Sequence, residues 1–526
     1  MSERVALLEA PVPGEPERLR TQVLPKRSSA APAPGAEPVP SSDVASDAAS
    51  GAEDPAGPRL VTSVVAALLG LAAATVGLKV GAVAGVPLFA ALVAAGLLVA
   101  VVPVLRRGRA GLAAFRPTAV DGVFVLYLVV RVAAELVDSG GLRGAQLGTV
   151  GDLAVSYAAL WAARLAVGRP AELPRFLLVL VVTSVPVSVV AVLQIADVPR
   201  LNRLLVATTQ SGGLADRLAD GSDLRATSTI GHWTNLGGYL LGIITLGCLA
   251  LTLGRSWRRS PGLLVVVGLA VVAQLATLTL APVLVTVLVL VATARRLRLR
   301  AVALGAAALV VVVGALLLGG LVLNRVQDQL SRRSSSPGLT NLLPETIAYR
   351  VVIWRRETLP AIAERPWTGW GNGLYLPGSG TPRPAYLRWM SPESEWFRVA
   401  VQAGVPALLV LLALLLVVLL RLRRAARADG RWSLLVWYLS GLLVISCLHS
   451  HLSGRGTPLV LWVAVGVVLA AASAGWALPS PEPPSPAPRR ALTGAAARTP
   501  FPTAAGVDRS RYVARREAAP MTDTRP

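Results

Sequence analysis

Phosphate-binding side chains are the first chemistry this sequence offers. Arg350 and Arg355 lie in a stretch, Pro344–Leu359, where Ile347, Val351, Trp354 and Thr358 recur at helical spacing. A helix of that pattern lies at a membrane surface and aims its guanidinium groups toward lipid headgroups. Arginine suits the task because it grips phosphate through two parallel hydrogen bonds and stays charged when partly buried. The alternative for each is a structural salt bridge. A second set begins at Arg225, just ahead of an apolar helix with His232 and Asn235 at its mouth. Gly237 and Gly238 come next and permit close backbone approach. Its alternative is an interfacial anchor of Arg, Trp and Tyr at a helix end. The third set is Ser391-Pro392-Glu393-Ser394-Glu395-Trp396, which reads as a helix start with Ser391 as N-cap and Pro392 at the first helical position.

The elements that must hold these residues are membrane helices. Apolar residues make up 54% of the 526, and the mean hydropathy is +0.60. Twelve segments approach the roughly 20 apolar residues that a bilayer crossing needs: 60–78, 83–104, 119–137, 150–167, 175–196, 231–254, 261–278, 280–294, 301–323, 403–421, 431–449 and 457–477. Arginine clusters follow the second, sixth, eighth and tenth segments and surround the loop after the fourth. With twelve spans all of these fall on one side, and cytoplasmic loops favour Arg and Lys. The expected architecture is therefore an all-α polytopic membrane protein of about twelve transmembrane helices with both termini cytoplasmic. Residues 59–477 form the membrane domain, and its long outward loops are 197–230 and 324–403. Residues 1–58 and 478–526, rich in Pro and small or charged residues, are expected to be disordered cytoplasmic tails. The aromatic content of the 324–403 loop, from Trp354 and Trp367 to Trp396, argues that it is an ordered cap.

Composition also excludes. The formal charge of +22 comes from arginine clusters between apolar blocks and not from a basic face on a soluble fold, so nucleic acid is not an expected partner. Cys248 and Cys447 both sit in apolar segments, which excludes a disulfide framework and a cysteine metal cluster. His232, His449 and His451 have no metal-ligand spacing. The outward loops lack an Asp-x-Asp or clustered acids for Mg²⁺, and no cofactor is expected. The glycine run Gly369-Trp370-Gly371-Asn372-Gly373 is no nucleotide loop, since no strand precedes it. With Trp367 and Tyr375 it offers an aromatic, glycine-rich surface for a sugar, or plain interfacial anchoring.

The order of these pieces resembles the O-antigen ligase and polymerase superfamily of bacterial membrane glycosyltransferases. The resemblance rests on Arg225-x(5)-Gly231-x(3)-Asn235-x-Gly237, then Arg350-x(3)-Trp354, then Pro366-x-x-Gly369-x-Gly371-x-Gly373, and finally Pro392-Glu-Ser-Glu-Trp-x(7)-Gly404-Val-Pro. It covers roughly residues 220–421. It implies a fold similar to lipid-sugar-dependent (GT-C-like) glycosyltransferases in a bacterial plasma membrane. It also implies transfer of a glycan from an undecaprenyl-diphosphate carrier to an acceptor hydroxyl at the outer face, without a metal. The partners would be a lipid-linked oligosaccharide donor, a glycan or other hydroxyl acceptor, and membrane lipid. On this resemblance Glu393, Arg225 and Arg350 are the catalytic candidates. Arg355, His232, Asn235, Trp354, Gly369, Gly371 and Trp370 are the substrate-binding ones. Two departures stand out. Thr279-Leu280-Ala281-Pro282 replaces a Ser-Arg-Gly pattern, and Glu393 stands where the family has a histidine thought to assist the acceptor hydroxyl. Glu393 would then serve as general base.

Two other classes compete. A transporter or flippase of lipid-linked glycans would show repeated halves and polar sites at the membrane midplane, whereas here the polar residues concentrate in one outer loop. A non-catalytic membrane scaffold would account for the missing histidine.

Overall fold

A computed structural model describes residues 56–79, 82–83, 86–108, 115–139, 144–220, 224–253, 261–297, 344–376, 381–389, 391–473 and 476, with a few single residues between 319 and 327. The expectations for both tails and for nearly all of the ninth apolar segment at 301–323 lie outside the described residues.

Helices occupy the other eleven apolar segments, because runs dominated by Leu, Val and Ala have no better way to satisfy their backbone away from water. They are α1 (Ala56–Thr75), α2 (Leu88–Arg106), α3 (Ala119–Ser139), α4 (Gly144–Ala166), α5 (Leu173–Val182) with α6 (Val185–Ile195), α9 (Trp233–Leu253), α10 (Pro261–Ala276), α11 (Leu280–Leu297), α14 (Glu395–Ala428), α15 (Ser433–Ile445) and α16 (Thr457–Ser473). Two short helices, α7 (Pro199–Thr208) and α8 (Gly212–Asp220), fill the first long loop, and α12 (Glu345–Ile353) and α13 (Leu359–Glu364) belong to the second. Strand pairing among the described residues amounts to a two-residue ribbon, Ala82–Val83 against Val86–Pro87, and an isolated bridge between Leu78 and Thr209.

Five helical stretches are long and apolar enough to cross a bilayer: Leu88–Arg106, Pro170–Ile195, Trp233–Leu253, Leu280–Leu297 and Glu395–Ala428. Four more apolar helices are shorter. The chain is thus a mostly helical membrane protein. Its outer surface exposes Leu98, Val129, Leu284, Leu288, Leu409 and Leu416, the side chains a lipid-facing surface tolerates. α9 is the exception, since it is buried along its whole length. It packs against α5, α10, α11, α15 and α16 and forms the axis of the bundle.

At one end of the bundle buried charge is paired. Arg164 Nη1 meets Asp121 Oδ2 at 3.2 Å, and Arg164 also donates to the Arg116 carbonyl and lies over Trp161. At the other end the polar loops converge. Arg455 donates to the Gln210 carbonyl at 2.9 Å, and Leu452 and Ser453 N–H groups donate to Glu395 Oε2. The loop glycines serve this convergence. Gly404 has φ 80°, and a Cβ there would sit 2.3 Å from the Trp367 carbonyl oxygen. The resulting kink in α14 receives the Pro366–Gly373 turn, whose Trp370 and Gly371 N–H groups donate to the Val401 and Gln402 carbonyls.

Candidate functional site

Three side chains from three separate segments meet where these loops converge. Arg350 comes from α12, Glu393 from the turn before α14, and His449 from the turn after α15. Arg350 Nη2 is 3.2 Å from His449 Nε2 and 3.5 Å from Glu393 Oε2. His449 Nδ1 is 3.1 Å from the same Glu393 oxygen. A guanidinium can only donate, so Nε2 must present its lone pair to Arg350. Nδ1 then carries the proton and donates it to Glu393. This is a neutral imidazole in a defined tautomer, oriented from both sides. Burial first, and next the positive charge of Arg350, hold His449 well below the ordinary histidine range. Burial pushes the Glu393 carboxyl upward, against the pull of Arg350.

Local structure explains why Glu393 can reach this position. The helix was expected to start at Ser391-Pro392. It starts instead at Glu395 with Ser394 as the N-cap residue, and Glu393 stands outside the helix with φ 53°. That left-handed conformation is rare for a residue with a side chain. Two contacts hold it: Glu393 N–H donates to Ser391 Oγ at 3.2 Å, and Trp354 Nε1 donates to the Pro392 carbonyl at 2.7 Å. Glu395 cannot share the role of Glu393. Its buried carboxylate is consumed by Leu452 N–H, Ser453 N–H and the Ser453 hydroxyl.

The helix expected over Pro344–Leu359 is interrupted. Trp354–Thr358 form a π-helical turn between α12 and α13, a wider turn that is frequent at functional sites. Arg350, on α12, is buried in the cluster, whereas Arg355, inside the π-helical turn, is exposed to solvent. Arg355 therefore does not join the site, and Trp354 serves it through its hold on Pro392 and its contact with Phe397.

A cavity of about 620 Å³ opens beside the cluster. Glu393, His449, His232 and Asn235 line it, and so does Tyr375. Arg225 lies over the Trp233 ring at 5.4 Å, and its charge acts on His232, His449 and Tyr349. The structure thus gathers Arg225, His232, Asn235, Arg350 and Glu393. His232 stacks on Trp233 and bonds the Thr234 hydroxyl through Nδ1. Asn235 holds α16 by accepting the Thr457 hydroxyl on its carbonyl. Gly238 gives His451 and Thr457 room: a Cβ there would lie 2.9 Å from His451 Nδ1.

The glycine-rich turn is not part of the cavity wall. Gly369 (φ 70°) abuts the α14 backbone, where a Cβ would lie 2.5 Å from Ala403 N. Trp370 is buried and donates to the Ala361 carbonyl at 2.9 Å. Asn372 is bound between α3 and α14, with its N–H on Glu135 Oε2, its Nδ2 on the Arg131 carbonyl and its own carbonyl on Gln402. The structure places Gly369, Gly371 and Trp370 in packing contacts away from the cavity lining. Trp367, by contrast, is largely exposed.

Sequence reasoning missed His449. It falls at the end of an apolar segment, 56 residues after Glu393, and no local spacing links the two. The signal present was the pair His449-Ser450-His451 at an outward helix end in a chain with only three histidines.

No curated protein matches the chain. Residues 263–412 match the family model described as O-antigen ligase. That region runs from α10 into α14 and holds both Arg350 and Glu393, so this part of the chain is similar to the O-antigen ligase family.

Proposed function

We propose that this protein transfers a glycan from an undecaprenyl-diphosphate carrier to an acceptor hydroxyl at the outer face of the membrane. The match of residues 263–412 to the O-antigen ligase family supports the coarser statement, a glycosyltransferase-like role in cell-surface glycan assembly. The observation that carries the finer one is the cluster of Arg350, His449 and Glu393 beside a cavity in the loops. In this reading Arg350 and Arg225 take the carrier diphosphate. The bond between the sugar and the diphosphate breaks, the diphosphate leaves with an added negative charge, and the arginines stabilise that charge as it develops. The acceptor oxygen forms the new glycosidic bond and surrenders its proton to His449 Nε2. Glu393 holds Nδ1–H and stabilises the imidazolium, so the two act as one base.

This arrangement is gated by substrate. While Arg350 donates to Nε2, the base is occupied. A diphosphate that draws the guanidinium away releases the lone pair when the donor is in place. Metal independence, the GT-C-like fold and twelve spans with both ends cytoplasmic belong to the same proposal. The transporter reading lacks support of this kind, because a permeation path needs no oriented imidazole.

Reconstitution tests it. Purified full chain in liposomes, given lipid-linked oligosaccharide and acceptor, should release undecaprenyl diphosphate and extend the acceptor in EDTA. Translocation of the lipid-linked glycan without any new glycosidic bond would establish the flippase instead. In a deletion strain, accumulated single repeat units would mark a polymerase, and accumulated finished chains on carrier lipid a ligase.

A further inference from the structure

The inner wall of the same cavity carries two arginines that the transfer reading leaves unused. Arg131 lies on α3 and is 2% exposed. Its Nη1 donates to Tyr127 Oη at 3.3 Å, and its Nε has no partner among the described residues. Arg398 lies on α14, one turn after Glu395. It rests over the Tyr375 ring at 5.9 Å, and its Nε is likewise without a partner. Both line the cavity, and each is within electrostatic reach of the other. The nearby carboxylates have other partners: Glu395, whose charge also acts on Arg398, is bound by the 452–453 backbone, Glu135 accepts Asn372 N–H, and Asp152, on the same cavity, faces the charge of Arg455.

Arg164, also buried, is different: it sits 3.2 Å from Asp121. Among the described residues neither Arg131 nor Arg398 has a carboxylate within ion-pair distance. Arg131 is buried and Arg398 half-buried, and two cations within reach of each other away from bulk water are costly unless an anion compensates them. A guanidinium pair suits an oxyanion with two or more oxygens. Phe124, Tyr127 and Trp462 complete that wall and give it apolar faces of the kind a sugar ring stacks on.

We infer that Arg131 and Arg398 form a second oxyanion subsite, for a phosphate or carboxylate group borne by a substrate. The chemistry has two possible sources, the diphosphate headgroup and an acidic sugar. The subsite stands on the arginines and the cavity alone, so it survives if glycosyl transfer is disproved.

Calorimetric titration of the full chain in detergent tests it. Inorganic pyrophosphate and galacturonate are used as separate probes, in an Arg225→Ala/Arg350→Ala background that removes the outer arginines. One equivalent of one probe should bind. Arg398→Gln should weaken it about tenfold or more, as loss of a charge-assisted contact does. Arg131→Lys and Arg398→Lys, which keep charge without the planar fork, should weaken it less and serve where the glutamine variant misfolds. Preference for pyrophosphate assigns the subsite to the headgroup, and preference for galacturonate assigns it to an acidic sugar. If neither probe binds, or if the lysine variants and Arg398→Gln bind as tightly as the background protein, the subsite does not exist.

Discussion

His449 Nδ1 lies 3.1 Å from Glu393 Oε2, while His449 Nε2 lies 3.2 Å from Arg350 Nη2. One imidazole is thus held between an anion and a cation, with its tautomer set by which partner can accept and which can only donate.

If His449 and Glu393 act as one base, their losses will not add. His449→Gln and Glu393→Gln should each lower transfer by about a hundredfold or more. The double variant should be little worse than the more damaged single one, as for residues acting as a unit. Membrane assays at matched protein levels decide this. Fully multiplicative losses would separate the two roles.

The clamp arginines should behave differently from their neighbour. Arg350→Ala and Arg225→Ala should each lower turnover by on the order of a hundredfold, and lysine should recover only part because it lacks the bidentate geometry. Arg355→Ala, at an exposed position within the π-helical turn and outside the cluster, should transfer normally. An equal loss at Arg355 would mean that the phosphate site extends onto this exposed face.

The pH profile should have its acid limb below the ordinary histidine range. His449 is held neutral by burial and by Arg350, so the base form persists at neutral pH and is lost only as the solution becomes distinctly acidic. Arg350→Gln removes the largest charge that lowers the imidazole and should move the limb upward. A limb in the parent protein above pH 7 would be incompatible with a neutral His449.

His451 gives a stability prediction. Burial pushes its imidazole down to about 4, below its unfolded value of about 6.5. The unfolded chain therefore binds the proton first as pH falls. Stability from this group is complete above about pH 6.5 and is lost as pH drops toward 4, a loss on the order of 3 kcal/mol. Thermal unfolding in detergent should show the midpoint falling across that window, and His451→Asn should flatten the dependence. An unchanged slope in the variant would place the titrating group elsewhere.

Gly404→Ala should damage the fold rather than the chemistry. The position has φ 80°, and the new methyl would meet the Trp367 carbonyl at 2.3 Å. The left-handed backbone alone costs about 1–2 kcal/mol, and the clash adds to it. Folded yield and thermal midpoint report the effect. A midpoint within about one degree of the parent would show that the α14 kink adjusts freely.

Much of this protein is legible in one dimension because the bilayer imposes a one-dimensional rule. Segments of Leu, Val and Ala must be helical, and helices stand in every apolar segment that is described. Arg225, Arg350 and Glu393 could be named as candidates because each sits at a polar break in that pattern. Their neighbours could not be sorted the same way. Arg350 and Arg355 both read as phosphate-binding arginines in sequence, and the packing of α12 against the Glu393 and His449 turns buries one while the other stays exposed. Trp370 and the glycines around it look like a sugar surface, and the kink at Gly404 draws them into the packing. Glu393 looks like the first turn of a helix, and the Trp354 and Ser391 hydrogen bonds hold it outside. His449 has no local signal at all. It reaches Glu393 because α14 and α15 are antiparallel neighbours, which brings the end of one beside the start of the other. Hydropathy depends on each residue and its near neighbours, so the sequence by itself determines the spans and the polar cap. Pairing across 56 residues depends on how helices pack, and only the tertiary structure decides it.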